Sequence, residues 1–166
     1  MADALSVLLL TWTASFFRYN GGWVDGDRLE SCLQKHWKSI AEFHGRDILD
    51  FKREDEPSVR AAFNDLLRAL QIETTKTKKI RQSPVGVAKA LHLLAPSFFP
   101  IWDYEIANRY GCRYSARPAD SYLSFCGKIR KVAEELEESP ADPERSLVKR
   151  IDEYNYARFS KGWIKV

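Results

Sequence analysis

The chain is poor in the residues that cross-link a fold or hold a metal. It has three cysteines, Cys32, Cys112 and Cys126, in 166 residues. That number is odd and no CxxC occurs, which argues against a disulfide framework, a zinc site and an iron–sulfur cluster. A reducing, cytoplasmic setting is expected. His36, His44 and His92 show no metal-ligand spacing, so no metal and no other cofactor is expected. Long apolar runs are missing too. The longest near the N-terminus is Val7 to Leu10, far short of the roughly 20 residues needed to cross a bilayer. No membrane partner is expected. Asp3 and the lack of a basic start make the N-terminus a poor signal peptide. No segment reads convincingly as a strand, and there is no internal repeat or low-complexity linker.

What the chain does have is enough apolar material for one core. Hydrophobic residues make up 45% and aromatics 13%, which excludes a disordered chain. Five Trp, seven Tyr and nine Phe exceed a minimal core, so they can fill it or line a pocket for a flat ligand. The periodicity is helical nearly throughout. Leu5, Leu8, Leu9, Trp12, Phe16 and Tyr19 share one face of a first helix that Gly21 and Gly22 end. A second helix begins near Asp27, carries Leu29, Leu33, Trp37 and Ile40 inward and stops at Gly45. A short turn covers Asp47 to Phe51. Pro57 opens a third helix with Ala62, Phe63, Leu66, Leu67 and Leu70 inside. Residues 73–82 read as a polar loop. Ser83-Pro84 opens the next helix and Pro96 ends it. A short helix spans about Tyr104 to Tyr110, closed by Gly111. Tyr122, Cys126, Ile129, Val132, Ala133 and Leu136 mark a long helix, broken by Pro140 and Pro143. Leu147, Val148, Ile151 and Tyr154 mark the last. The expected fold is an all-α, compact bundle of about seven helices forming a single domain over residues 1–166, and a monomer.

The net charge is +3 and the pI about 8.7, mildly basic. Its distribution is segregated. Lys76, Lys78, Lys79 and Arg81 form a run without an acid. Acids gather at Glu54, Asp55 and Glu56 and at Glu134, Glu135, Glu137 and Glu138. Such segregation can present one basic face to a polyanion.

The informative segment is Ser83 to Gly111, SPVGVAKALHLLAPSFFPIWDYEIANRYG. Ser83-Pro84-Val85-Gly86 places free backbone amides at a helix start, with a glycine that removes side-chain bulk, so a phosphate can approach. It is equally an ordinary capped helix. Asp103 stands where an N-cap would be, a role that stabilises a helix by about 1 kcal/mol. The same position keeps a carboxylate ionised beside Phe98, Phe99, Ile101, Trp102 and Tyr104, where it can stabilise a sugar cation or take a proton from water. Lys89 reads as a solvated first-turn residue. The three histidines read as structural; His92, one turn from Lys89, is the one able to border a pocket.

The order of these features resembles the helix-hairpin-helix DNA glycosylases. In that superfamily a proline- and glycine-rich hairpin holds the DNA backbone through main-chain amides, and a helix then leads to an essential Asp at the next helix start. By position, Pro84, Val85 and Gly86 match the hairpin, Lys89 the lysine nucleophile of bifunctional members, and Asp103 the catalytic Asp. The likeness covers about 30 residues. It departs in having one glycine where the usual hairpin has two, and in a shorter step from Lys89 to Asp103. More narrowly, the chain looks like compact bacterial glycosylases that act against phages whose DNA carries glucosylated hydroxymethylcytosine.

The resemblance implies a DNA glycosylase, monofunctional, whose partner is DNA containing a modified base. Lys76, Lys78, Lys79 and Arg81 would grip phosphates together with the Ser83–Gly86 turn. Trp102, Tyr104 and His92 would hold an extruded base, with Trp12, Trp23 and Trp37 as looser candidates. Asp103 would stabilise the oxocarbenium ion, and Lys89 could form a Schiff base. Two rivals stand beside this. One is a helix-hairpin-helix DNA-binding module without catalysis; the other is a helical interaction protein that does not retain DNA.

Overall fold

The structure is a computed structural model that describes residues 1–20, 22–114, 116–137 and 145–165. Gly21, Pro140 and Pro143, to which the sequence gives helix-ending roles, and Glu138, one of the clustered acids, lie outside the described residues. Among these residues it has eight α-helices: α1 (Ala2–Trp12), α2 (Ala14–Asn20), α3 (Gly26–His44), α4 (Glu56–Ala69), α5 (Pro84–Leu94), α6 (Tyr104–Arg109), α7 (Pro118–Glu137) and α8 (Leu147–Asn155). Two 3-10 turns, Ile48–Asp50 and Arg53–Asp55, join α3 to α4, and a π turn, Tyr156–Ser160, follows α8. Helix α4 packs on α3, α5 and α7, while α8 packs on α7. The fold is an all-α compact bundle, and no described helix is long and apolar enough to cross a membrane.

The helices form where the apolar stripe and the caps agree. Ser83 Oγ accepts from the Gly86 amide and Ser146 Oγ from the Lys149 amide, each satisfying one orphan donor of a first turn. Helix α3 begins at Asp25 instead of Asp27: Asp25 Oδ1 accepts from Arg28 N at 3.0 Å. The first helix divides in two because the Thr13 hydroxyl turns back onto the Leu9 carbonyl and the backbone there leaves helical geometry. Tyr19 consequently points outward, 84% exposed. Trp37 is corrected in the same way. It is 47% exposed and lines a groove with Met1, Glu30 and Leu33.

The stretch expected as a loop contains a two-stranded antiparallel ribbon, β1 (Ile72–Glu73) with β2 (Ile80–Arg81), pairing Ile72 with Arg81 and Glu73 with Ile80. Its turn is held by side chains. Thr74 Oγ1 lies 2.7 Å from Thr77 Oγ1 and accepts from Lys79 N at 3.1 Å, and Lys78 adopts φ +56°.

The core is aromatic around the link between α5 and α6. Phe43 stacks on Phe98 with centroids 4.7 Å apart, and Phe63, Trp102 and Tyr122 pack together with no exposed surface. Polar groups pin the same link. Ile48 N donates to Ser97 O at 3.0 Å, Tyr122 Oη to Pro100 O at 3.0 Å and Tyr114 Oη to Trp102 O at 3.3 Å. A non-helical segment carries carbonyls that must be satisfied when buried, and here the surrounding helices satisfy them. The backbone entering Asp103 is therefore held from several sides.

Candidate functional site

Asp103 caps α6. Its Oδ1 accepts from Ile106 N at 2.8 Å, and its Oδ2 accepts from Ser160 Oγ at 3.2 Å. The side chain is half-buried, in keeping with both cap and site. Across from it, α5 presents Lys89 and His92, one turn apart on one face. Lys89 Nζ donates to the Trp12 carbonyl at 2.9 Å and lies 4.9 Å from the centre of the Trp12 ring. Burial pulls the Lys89 amine below the usual lysine range, and the charges of Asp103 and Asp152 pull it back up. His92 Nδ1 donates to Phe99 O at 2.8 Å, the only arrangement a carbonyl allows, and its ring meets Trp12 edge-on at 6.1 Å. Burial first, and the Lys149 charge after it, hold His92 below the usual imidazole range, so it is neutral at pH 7.

The structure thus puts Lys89 within electrostatic reach of Asp103 and adds Asp152, which the sequence reading missed, while His92 keeps to Phe99 and Trp12 beside Lys89. Asp152 lies on α8 at the margin of the buried stripe formed by Val148, Ile151 and Asn155. Burial pushes its carboxyl up to about 6; Lys149 and Lys89 oppose this, while Asp103 and Glu153 reinforce it. A carboxylate flanking an apolar helix stripe was a visible signal, but its meeting with Lys89 depends on how α8 packs. Ser160 was missed for the same reason. Two acids near one lysine, one of them titrating at about 6, are a pattern suited to proton transfer.

The aromatic residues separate. Trp102 is corrected from pocket lining to core: it has no exposed surface, and its indole N–H donates to Cys112 O at 3.2 Å. Asp103 is the last extended residue, and Tyr104 is the first residue of α6, so strand alternation does not carry past Asp103 and the helix turns residue 104 away from the face that buries Trp102. Tyr104 accordingly points out, 56% exposed, with its ring edge-on to Tyr114 at 5.8 Å. Burial, and after it the Asp103 charge, push the Tyr114 phenol upward, so it stays a neutral donor. Trp12 joins the site through Lys89 and His92, while Trp23 stands 80% exposed.

The turn at 83–86 opens α5 as expected, but Gly86 has a different use. Its amide donates to Ser83 Oγ, and a Cβ there would lie 3.2 Å from that oxygen. Pro84 has no N–H, and Val87 N bonds Ser83 O, which leaves the Val85 amide to meet an anion. Lys76, Lys78, Lys79 and Arg81 are all exposed on or beside the ribbon. Lys78 pairs with Glu73 at 3.3 Å. Among the described residues, none of these four shares a hydrogen bond or ion pair with Lys89, His92 or Asp103.

Compared with known proteins, the chain finds no relative: no family model matches it, and neither a curated protein nor a solved structure does.

Proposed function

We propose that this protein is a DNA N-glycosylase that takes a modified base out of the helix and hydrolyses its bond to deoxyribose. The observation that carries this reading is Asp103, held at the start of α6 by the Ile106 amide and Ser160, with half-buried Lys89 and Asp152 within electrostatic reach of it. The C1′–base bond breaks with its electron pair going to the base, which takes up a proton. C1′ becomes an oxocarbenium ion, and Asp103 stabilises its charge. Water adds to C1′ and its proton passes to the Asp152 carboxylate. Free base and an abasic site result. Tyr104 offers an exposed ring to the extruded base. Lys89 supplies positive charge within electrostatic reach of both acids, and its amine remains a candidate nucleophile.

The test is incubation with DNAs carrying modified bases, glucosylated hydroxymethylcytosine among them, followed by detection of abasic sites. Abasic product from one of them, absent with Asp103→Asn, supports the reading. No product from any of them, or an Asp103→Asn variant as fast as the unsubstituted chain, ends it. Borohydride trapping separates the routes: a covalent adduct lost in Lys89→Ala assigns the lysine.

A DNA-binding module without catalysis is favoured by one observation. Both Asp103 oxygens already hold hydrogen bonds, as a purely structural cap would. That reading expects salt-sensitive DNA binding, untouched by Asp103→Asn, and no released base.

A further inference from the structure

Residues 154–165, YNYARFSKGWIK, hold four aromatic residues and three cations and no acid. The rings are not hidden. Trp163 is 71% exposed, and Tyr154 and Tyr156 are each 43% exposed. Nor is the segment loose in its geometry. Lys161 N donates to Tyr156 O at 2.9 Å and Trp163 N to Ala157 O at 2.8 Å. Gly162 at φ +64° lets the chain reverse between these bonds. The reversal sets the Trp163 ring perpendicular to that of Tyr156, centroids 6.2 Å apart.

The cations lie against the rings. Lys161 Nζ is 5.3 Å from the centre of Tyr156, and the Arg158 guanidinium is 5.7 Å from that of Tyr154. Among the described residues no carboxylate pairs with Arg158, Lys161 or Lys165. Exposed rings interleaved with unneutralised cations match a chain that alternates planar bases with phosphates. A lipid surface fits less well, because Ile164 is the one large aliphatic residue here and no continuous apolar face exists. The location is specific as well, since Ser160 in the middle of the segment bonds Asp103.

We infer that residues 154–165 grip single-stranded DNA beside Asp103, bases stacking on Tyr156 and Trp163 and phosphates lying against Arg158, Lys161 and Lys165. The choice of DNA rests on the glycosylase reading of the neighbouring site. The surface holds the strand flanking the extruded nucleotide, which is unstacked when that nucleotide leaves the helix.

The test is fluorescence anisotropy of a labelled twelve-residue oligothymidylate with the whole chain, helicity being checked by circular dichroism. Y156A/W163A is expected to weaken binding about tenfold or more, because each lost stack removes a favourable contact. W163F keeps a stacking ring and is expected to bind within about threefold of the unsubstituted chain. Y19A, which removes an exposed ring outside the segment, is expected to leave binding unchanged. K161A/K165A is expected to flatten the slope of log affinity against log salt by about 1.4, two contacts at roughly 0.7 each. Binding by Y156A/W163A within about twofold of the unsubstituted chain overturns the inference. So does an equal loss in Y19A, or a Tyr156- and Trp163-dependent affinity for phosphatidylserine vesicles without any for the oligonucleotide. Strand binding that needs both rings sustains the inference even if no base is ever released. Base release with ring-independent strand binding sinks it and leaves the glycosylase reading standing.

Discussion

Ser160 Oγ donates to Asp103 Oδ2 at 3.2 Å, tying the π turn after α8 to the cap of α6. The bond joins two segments far apart in the chain, and it is the one through which the end of α8 touches the central carboxylate. Removing it leaves Asp103 with its Ile106 amide alone. Ser160→Ala is expected to slow base release about tenfold while the helical signal is unchanged, because a hydrogen bond to a charged group contributes about 1.5 kcal/mol. Single-turnover kinetics on a substrate found in the modified-base panel would check it. An unchanged rate would mean that Asp103 is positioned by its cap bond alone.

Asp152 gives stability a pH dependence of unusual sign. Its folded-state carboxyl is raised to about 6 by burial first, with Asp103 and Glu153 adding and Lys149 and Lys89 opposing. The unfolded carboxyl titrates near 3.9. The folded chain therefore holds the proton more tightly, and this contribution to stability is complete below about 4 and lost as pH rises through about 6. Asp152→Asn removes the dependence. Urea denaturation is expected to show the variant gaining on the unsubstituted chain between pH 4 and 7, by about 2 kcal/mol in all, and level beyond. Base release by the unsubstituted chain is expected to rise through the same interval as Asp152 becomes able to accept a proton.

The helices were legible because they are set by short-range physics. The apolar stripe of α4 and the caps Ser83 and Asp103 each need only neighbours within a turn. Asp25 and Asp27 both flank Gly26, so composition could not choose between them; the amide of Arg28 does. What stayed hidden depends on distant partners. Trp102 sits in an aromatic stretch whose sequence does not say which ring faces in, and only Phe63 and Tyr122, from α4 and α7, decide it. Asp103 was readable as a cap from its own position, whereas Lys89 entered only through the helix-hairpin-helix resemblance. Asp152 and Ser160 arrive from the other end of the chain, and α8 has to pack on α7 first.

Gly22 illustrates a residue whose reason changed with the structure. It reads as a helix terminator, yet its backbone lies against β1. A Cβ at Gly22 would meet Ile72 Cβ at 2.8 Å and Glu73 O at 3.1 Å. The Ile72 side chain is buried and cannot swing away freely. Gly22→Ala is expected to cost about 1–3 kcal/mol, read as a lowered Tm in a thermal scan. A Tm equal to that of the unsubstituted chain would show that the ribbon shifts to make room.

Trp102 and Tyr104 flank Asp103 and are expected to behave oppositely. Trp102→Ala empties a site with no exposed surface, packed by Phe63, Tyr114 and Tyr122, and is expected to destabilise the fold by about 3–5 kcal/mol. Because Tyr114 Oη and Tyr122 Oη hold the same link through Trp102 O and Pro100 O, part of that loss should reach Asp103 as misplacement. Tyr104 is 56% exposed and touches Tyr114 only along a ring edge, so Tyr104→Ala is expected to change stability by about 0.5 kcal/mol or less. Its effect should fall on substrate, as a raised KM for base release with kcat little changed, since an exposed ring that stacks on a base contributes binding that ground state and transition state share. Denaturant melts of both variants beside steady-state kinetics separate the two roles. A Trp102→Ala protein of full stability, or a Tyr104→Ala protein that unfolds, would mean that the inward and outward assignments on either side of Asp103 are reversed.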